Sequence, residues 1–567
     1  MPWASVLIAV AVCLLAALSV YTVSRLGAAD GDWLTHIRSR LYLGIPWGTL
    51  VVISFVLFVY LFVQDGSSAI RDPVVIPYRA WSYQYPLGML TAPFAHASFD
   101  HLLGNLTGAL VLAPIAEYAW GHYPDDGVAD SGSLRADPRV RAFLVFPAVV
   151  CGVALATSLF AVGPVIGFSG VVYAFAGFAM VSYPIATIVA SLGVHGLVLT
   201  VVRAVQSPIV EASVQAQPPA PPSWASIAIQ AHALGFFLGL VLALAIAARR
   251  GTRPDPRRFW IAVVLFGFSK SLWAIYWYGS AGSYVLFRGP GVIVVLALSV
   301  LVTLAVTASD RPILPVDRST PLTGGRIRRA VVQAPFFRAA TNRSRRATAV
   351  TAVVLLLALI SGPALALNAV SVAPADDRAA LSFENYGVTY DESVQNELVS
   401  VVPFDAYGSN ETVSASGVIV WSTERSLWTN PVSADQLAYS GTATVELGGP
   451  GWRETVSVER TGWDVVGNGS TYQVWLDAPS HDRTMAFESG SQRSSVVVNE
   501  ASLSIASVDG EFVVRATSDS GLNVTTAVPS PGETASMGPV ELVREDDTLV
   551  VEHEGTRAAI AAVETYR

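Results

Sequence analysis

Apolar stretches long enough to cross a bilayer recur through the first 370 residues of the chain and then stop. A membrane helix needs about 20 predominantly apolar residues. The pattern predicts ten spans, near residues 4–24, 46–64, 102–120, 142–161, 168–183, 186–203, 226–247, 259–278, 290–308 and 348–369. Because 52% of the residues are apolar and only 14% are charged, a fully soluble protein is excluded. The two cysteines, both in apolar runs, exclude a disulfide scaffold.

The arginines between the spans predict the orientation of the helices. Residues 309–347 contain nine Arg, and residues 249–258 contain five, so both loops are expected in the cytoplasm. Two spans separate the loops, as this orientation requires. The N-terminus and the residues after 370 are then expected outside. Residues 1–24 are expected to be a retained span, because no cationic segment and no clear cleavage site mark a signal peptide.

The C-terminal part of the chain has a different composition. Residues 371–567 hold 29 Asp and Glu against 10 Arg, a net charge of −19, whereas residues 1–370 carry +11. Short alternating runs such as residues 471–476, separated by turns such as Asp509-Gly510, predict an antiparallel β-sandwich. An external domain also suits three Asn-x-Ser/Thr sequons, at Asn410, Asn468 and Asn523.

A few polar side chains lie inside the predicted spans, where their burial is costly and a function is the default hypothesis. His101 and Asn105 are four residues apart, on one face of the third span. Ser169 opens the fifth span, with Tyr173 one turn further along, and His232 lies in the seventh. The predicted orientation brings these groups to the same side of the membrane, a few residues beneath the outer surface.

These residue types could hydrolyse a peptide bond. Ser169 becomes a good nucleophile only when a base removes its proton, and His232 is the most plausible base in this set. No Asp or Glu is evident nearby, so a Ser–His dyad is predicted. Asn105 and His101 could stabilise the oxyanion, at ~3 kcal/mol for each donor. Each feature alone is weak, because a lone intramembrane histidine more often joins helices and spaced glycines more often serve packing.

Together the motifs resemble those of the rhomboid family of intramembrane serine proteases, over about residues 45–248. The residues that match are His101 and Asn105 in His-x-x-x-Asn; Gly167, Ser169 and Gly170 in Gly-x-Ser-Gly; and His232, Gly235 and Gly239 in Ala-His-x-x-Gly-x-x-x-Gly. Three further positions match supporting residues of the family, namely His96, Glu117 and Tyr173.

The resemblance implies a six-helix core formed by spans two to seven, with Ser169 as nucleophile and His232 as base. It implies single-span or multi-span membrane proteins as substrates, cut near their outer ends in the bilayer, and it calls for no metal, no cofactor and no nucleic acid. The expected fold is a multi-span α-helical membrane protein with a β-rich external domain. The expected parts are residues 1–44, an extra helix and a cytoplasmic loop; 45–248, the protease core; 249–370, three additional helices with a basic cytoplasmic loop; and 371–567, the acidic external domain, whose ligand the sequence does not identify.

Two other readings stay open. A rhomboid-like pseudoenzyme would bind or escort membrane helices without cutting them, although such proteins typically lack the serine or the histidine. A receptor would depend on residues 371–567, and their deletion would abolish its function. A separate question concerns Lys270, which lies in the eighth predicted span beside several aromatic residues. Snorkelling or pairing between helices is expected for it.

Overall fold

The structure is a computed structural model, and it describes most of the chain. The described ranges are residues 2–26, 33–123, 136–210, 218–225, 228–278, 284–308, 344–369, 379–395, 414–467, 469–518, 521 and 523–567. The chain divides into two compact units. The first is helical and the second is rich in β-strands.

The helical unit contains both long apolar helices and short connecting ones. In chain order its helices are α1 (Pro2–Leu26), α2 (Trp33–Arg40), α3 (Trp47–Val63), α4 (Pro86–Thr91), α5 (Phe99–Trp120), α6 (Pro138–Leu159), α7 (Ser169–Ser182), α8 (Pro184–Gln206), α9 (Ile229–Arg250), α10 (Pro256–Ser269), α11 (Arg288–Thr307) and α12 (Arg345–Leu367).

Within the described residues, seven helices are long and apolar enough to cross a membrane: α1, α5, α6, α8, α9, α11 and α12. Helices α3 and α7 are shorter and also apolar. The chain is therefore a multi-pass membrane protein, as the sequence predicted. One hydrophobic core joins α3 and α5 to α12, and its largest fully buried side chains include Tyr60, Phe168 and Phe259.

The eighth predicted span is wrong in its second half. A helix was expected over residues 259–278, but α10 ends at Ser269, and Ser271 has a positive φ of 55°. The aromatic residues that follow form strand β1 (Tyr276–Tyr278), which pairs with β2 (Tyr284–Leu286) in an antiparallel hairpin. Tyr and Trp favour strands. An average over hydrophobicity reads such a strand as the continuation of an apolar helix.

The strands of the second unit are short and antiparallel. They are β3 (Leu381–Phe383), β4 (Tyr386–Gln395), β5 (Ser414–Ser422), β6 (Leu427–Ser433), β7 (Thr442–Gly449), β8 (Trp452–Val465), β9 (Ser470–Ala478), β10 (His481–Glu488), β11 (Gln492–Val498), β12 (Ala501–Val508), β13 (Glu511–Thr517), β14 (Asn523–Ala527), β15 (Thr534–Met537), β16 (Val540–Glu545), β17 (Thr548–His553) and β18 (Thr556–Val563). A short helix, α13 (Ala434–Ser440), follows β6 and begins with a capping box at Ser433.

These strands form three sheets, so the predicted β-rich domain is confirmed. The largest has the order β10-β9-β8-β18-β17-β16-β15, with β7 paired to the first part of β8. Strands β11–β14 and β3–β6 each form a four-stranded sheet in sequence order. A buried core takes Leu503 and Val514 from the β11–β14 sheet and Leu542 and Ile560 from the largest sheet. These two sheets therefore pack face to face, as in a β-sandwich.

Several sequence predictions concern residues outside the described ranges. Most of the basic loop, residues 309–343, is among them, and so are the sequons at Asn410 and Asn468. The third sequon, Asn523, is the first residue of β14, and its side chain is exposed. Glycosylation of this asparagine stays a prediction.

Candidate active site

Ser169 is the first residue of α7, and the turn before it depends on a glycine. Gly167 has a φ of +119°, a conformation that only glycine adopts without strain. Its backbone N–H donates to the Ala92 carbonyl oxygen at 2.9 Å, which fixes the turn to the segment after α4. The hydroxyl of Ser169 therefore lies at a helix N-terminus, where backbone N–H groups and the helix dipole favour negative charge.

His232 lies in the first turn of α9 and contacts Ser169 directly. The distance between His232 Nε2 and Ser169 Oγ is 2.7 Å, a hydrogen bond in which the imidazole nitrogen can accept the hydroxyl proton. His232 Nδ1 is buried and has no hydrogen-bond partner among the described residues. The pair therefore has the geometry of a dyad without an orienting carboxylate.

Stacking holds the imidazole in place of a carboxylate. The rings of Tyr173 and His232 are nearly parallel, with an angle of 8° and a centroid distance of 4.2 Å. Phe266 of α10 packs against the other side of this arrangement, with its ring edge-on to Tyr173 at 5.4 Å. Tyr173 thus joins the serine helix to the histidine ring, which makes it part of the site that the sequence predicted.

Helices α7 and α9 can bring serine and histidine together because small residues line their contact. A Cβ atom at Gly235 would lie 1.9 Å from the carbonyl oxygen of Gly170, and one at Gly239 would lie 1.9 Å from that of Ala174. Gly177 makes a similar approach from α7, with 2.2 Å to the Phe236 oxygen. Backbone thus packs on backbone along three turns, as in other close helix pairs in membranes.

His101 and Asn105 lie on α5 above the turn that precedes Ser169. A Cβ atom at Gly167 would be 2.5 Å from His101 Cε1 and 3.4 Å from Asn105 Nδ2, so only glycine leaves room for them. Asn105 is buried, and its Nδ2 has no partner among the described residues. The amide is therefore a free donor beside the serine.

One cavity contains all four polar groups. Its volume is about 300 Å³, and its lining includes His101, Asn105, Ser169 and His232. No Asp or Glu of the described residues lines it. Within the same described ranges, no group of three or more His, Cys, Asp and Glu residues could hold a metal ion.

His96 supports the site from behind. It is fully buried, its ring lies 5.1 Å from that of His101, and its Nε2 lies 3.5 Å from the Phe168 backbone N–H. Gln64 fixes this residue, since its Oε1 accepts from His96 N and its Nε2 donates to His96 O, at 2.7 and 2.8 Å. Sequence reasoning missed Gln64. The signal was a buried amide at the end of α3, but nothing local indicated its partner.

Glu117 lies away from the cavity, although it was grouped with the site residues. It is twelve residues further along α5 than Asn105, about 18 Å at the rise of an α-helix. Its carboxylate accepts from the backbone N–H groups of Gly48 and Thr49 at 2.7 and 2.8 Å, and His122 Nε2 is 2.6 Å away. Glu117 therefore caps the N-terminus of α3 and joins two helices.

The remaining motif glycine, Gly170, packs against α6. A Cβ atom there would lie 3.0 Å from Thr157, so its role is close helix packing next to Ser169. Two polar residues that were not assigned to the site also line the cavity, His195 of α8 and Lys270 after α10. Their position inside apolar helices was a signal available in the sequence.

Comparison with known proteins identifies one domain. Residues 84–249 match the family model described as the Rhomboid domain. No curated protein and no solved structure matches the chain. The matched range includes α5 to α9 and therefore all four polar residues of the dyad and its surroundings.

Proposed function

Through its rhomboid domain at residues 84–249 this chain belongs to the rhomboid family, and from that premise we propose that it is an active intramembrane serine protease. The observation that carries the proposal is the 2.7 Å contact between Ser169 Oγ and His232 Nε2 inside a cavity. A pseudoenzyme has no need of this contact.

The proposed reaction begins when Ser169 Oγ attacks the carbonyl carbon of the scissile peptide bond. His232 Nε2 accepts the hydroxyl proton as the new C–O bond forms. The carbonyl oxygen becomes an oxyanion. Asn105 Nδ2 has no other partner and can donate to it, together with His101 and the N–H groups at the start of α7.

Collapse of this tetrahedral intermediate breaks the C–N bond. His232 returns the proton to the leaving amine, which departs as the new N-terminus of one fragment. A water molecule, deprotonated by the same histidine, then attacks the acyl-enzyme and releases the second fragment as a carboxylate. Serine and histidine end the cycle in their starting protonation states.

We also propose that the dyad lies near the extracytoplasmic face and that residues 371–567 lie outside the cell membrane. His232 is in the first turn of α9, whereas Arg249 and Arg250 form its last turn. Arginine-rich ends favour the cytoplasm, so the opposite end of α9 faces outward. Ser169 and His101 also lie at the starts of their helices, which supports a site open to water from the outside.

The proposal is tested by incubating the purified chain in liposomes with a tagged single-span membrane protein. We expect two fragments whose new termini, mapped by mass spectrometry, lie inside the membrane segment near its outer end. A panel of substrates with helices of different stability removes the dependence on one sequence. If every substrate stays intact while co-purifying with the chain, the protease is contradicted and a binder of membrane helices replaces it.

A further inference from the structure

The cavity around the dyad contains a positive charge that the proposed reaction does not use. Lys270 lines the cavity together with Ser169 and His232. It is the single lysine in a chain of 567 residues that otherwise uses arginine. Placing a cation inside a membrane protein is costly, and such residues mark functional sites by default.

This lysine comes from a part of the chain outside the match to the rhomboid family. Among the residues that line the cavity, Phe266 and Lys270 are the two that lie beyond residue 249. The backbone is well fixed there, since the Tyr173 hydroxyl donates to the Lys270 carbonyl oxygen at 3.4 Å. The additional helix α10 thus contributes one wall of the cavity and a charge in that wall.

The ammonium group has little compensation inside the protein. Its contact is the Ser191 carbonyl oxygen of α8, at 3.5 Å, which is the long limit of a hydrogen bond. That contact agrees with the expected pairing between helices. An ammonium carries three donors, however, and among the described residues no carboxylate forms an ion pair with Lys270.

The other titratable side chains of the cavity are also bases. They are His101, His195 and His232, and no described Asp or Glu lies among the lining residues. A partly buried charge is stabilised when an opposite charge approaches within a few ångströms. The cavity therefore suits an anion that enters with the substrate.

On the basis of the proposed function, we infer that Lys270 is a specificity-determining residue that selects substrates with Asp or Glu beside the scissile bond. The substrate is the source of the anion because its peptide bond must enter this cavity to reach Ser169. A carboxylate side chain one or two residues away would then come close to the ammonium group. Lysine is a compact point charge, which fits a cavity of about 300 Å³ better than a planar guanidinium.

The preference is measured with pairs of substrates that differ only by Asp or Asn at one position near the cut. In phosphatidylcholine liposomes we expect the wild type to cut the Asp member about tenfold faster in kcat/KM at one position. Lys270→Met should bring this ratio close to one, Lys270→Arg should retain it, and Lys270→Glu should favour a Lys member instead. Arg288→Met is the matched control, because Arg288 is a cation outside the cavity lining whose guanidinium lies over Trp273, and it should keep the wild-type ratio.

A second experiment detects the contact without cleavage. A membrane-permeable carbodiimide condenses a carboxylate with an amine to an amide and takes up the water released. Because Lys270 is the one lysine, a cross-link from the Asp substrate to the Ser169→Ala chain should map to this residue and should be absent with the Asn substrate and in Lys270→Met.

The two experiments separate the two proposals. Cross-linking without cleavage by the wild type would overturn the protease and leave the anion site standing. Cleavage without any preference for Asp over Asn, or a preference that Lys270→Met retains, would overturn the specificity proposal alone. A preference that appears only in liposomes with anionic lipid would also overturn it, because the anion would then come from the lipid headgroup.

Discussion

Replacing Ser169 or His232 by alanine is expected to lower kcat for peptide-bond hydrolysis roughly 10⁴-fold or more, because each substitution removes one half of the 2.7 Å contact that activates the nucleophile. Without the base, the hydroxyl keeps its proton. Without the hydroxyl, the histidine has no nucleophile to activate. The two losses should not add, so the double variant should be no slower than either single one.

The rates are measured as the appearance of the shorter fragment in liposomes, with thermal unfolding as a check on the fold. Ser182→Ala is the matched control, because Ser182 is the exposed last residue of the same helix α7. It should cut at the wild-type rate. Cleavage by Ser169→Ala at more than a tenth of the wild-type rate would mean that another group attacks the substrate.

Gly235→Ala is expected to damage both stability and activity, because its new methyl group has no space. The Cβ atom would lie 1.9 Å from the carbonyl oxygen of Gly170, which belongs to the backbone of α7 and cannot rotate away. The helices must therefore separate. We expect a loss of about 1–3 kcal/mol in the free energy of unfolding. We also expect cleavage to fall at least roughly 100-fold, because a shift of 1 Å at reacting groups has that effect.

Gly152→Ala provides the matched control for this prediction. Gly152 lies on α6, is exposed, and has no heavy atom within 4 Å of the position that the new methyl group would take. Alanine is also the better helix former, so this variant should be at least as stable as the wild type. Thermal unfolding in detergent and cleavage in liposomes measure both variants. If Gly235→Ala matches Gly152→Ala in both, the approach of α7 and α9 does not position the dyad.

Much of this arrangement could be predicted because it is written in local patterns. Runs of apolar residues gave nearly all of the helices, and alternation gave the strands of the second unit. Ser169, His232, His101 and Asn105 could be grouped because polar residues are rare in apolar helices, and the predicted orientation put them on one side. The structure brings all four into one cavity.

The parts that could not be predicted depend on contacts between distant residues. Gln64 binds the backbone of His96 across 32 positions, and Glu117 caps a helix that begins 70 residues earlier. Neither contact leaves a local pattern. The end of α10 at Ser269 was missed for another reason, since the aromatic strand after it is as apolar as a helix. Lys270 was noticed, but its place beside the dyad follows from the packing of α10 on α7.

The most direct test of the central claim needs no substrate. A fluorophosphonate reacts with a serine only when a base activates the hydroxyl, which displaces fluoride and forms a stable phosphonyl ester. Intact-mass measurement followed by peptide mapping should find one adduct, on Ser169, in the wild-type chain in liposomes and none in His232→Ala. An unlabelled wild type, or equal labelling of Ser169 in His232→Ala, would contradict a dyad in which His232 activates Ser169.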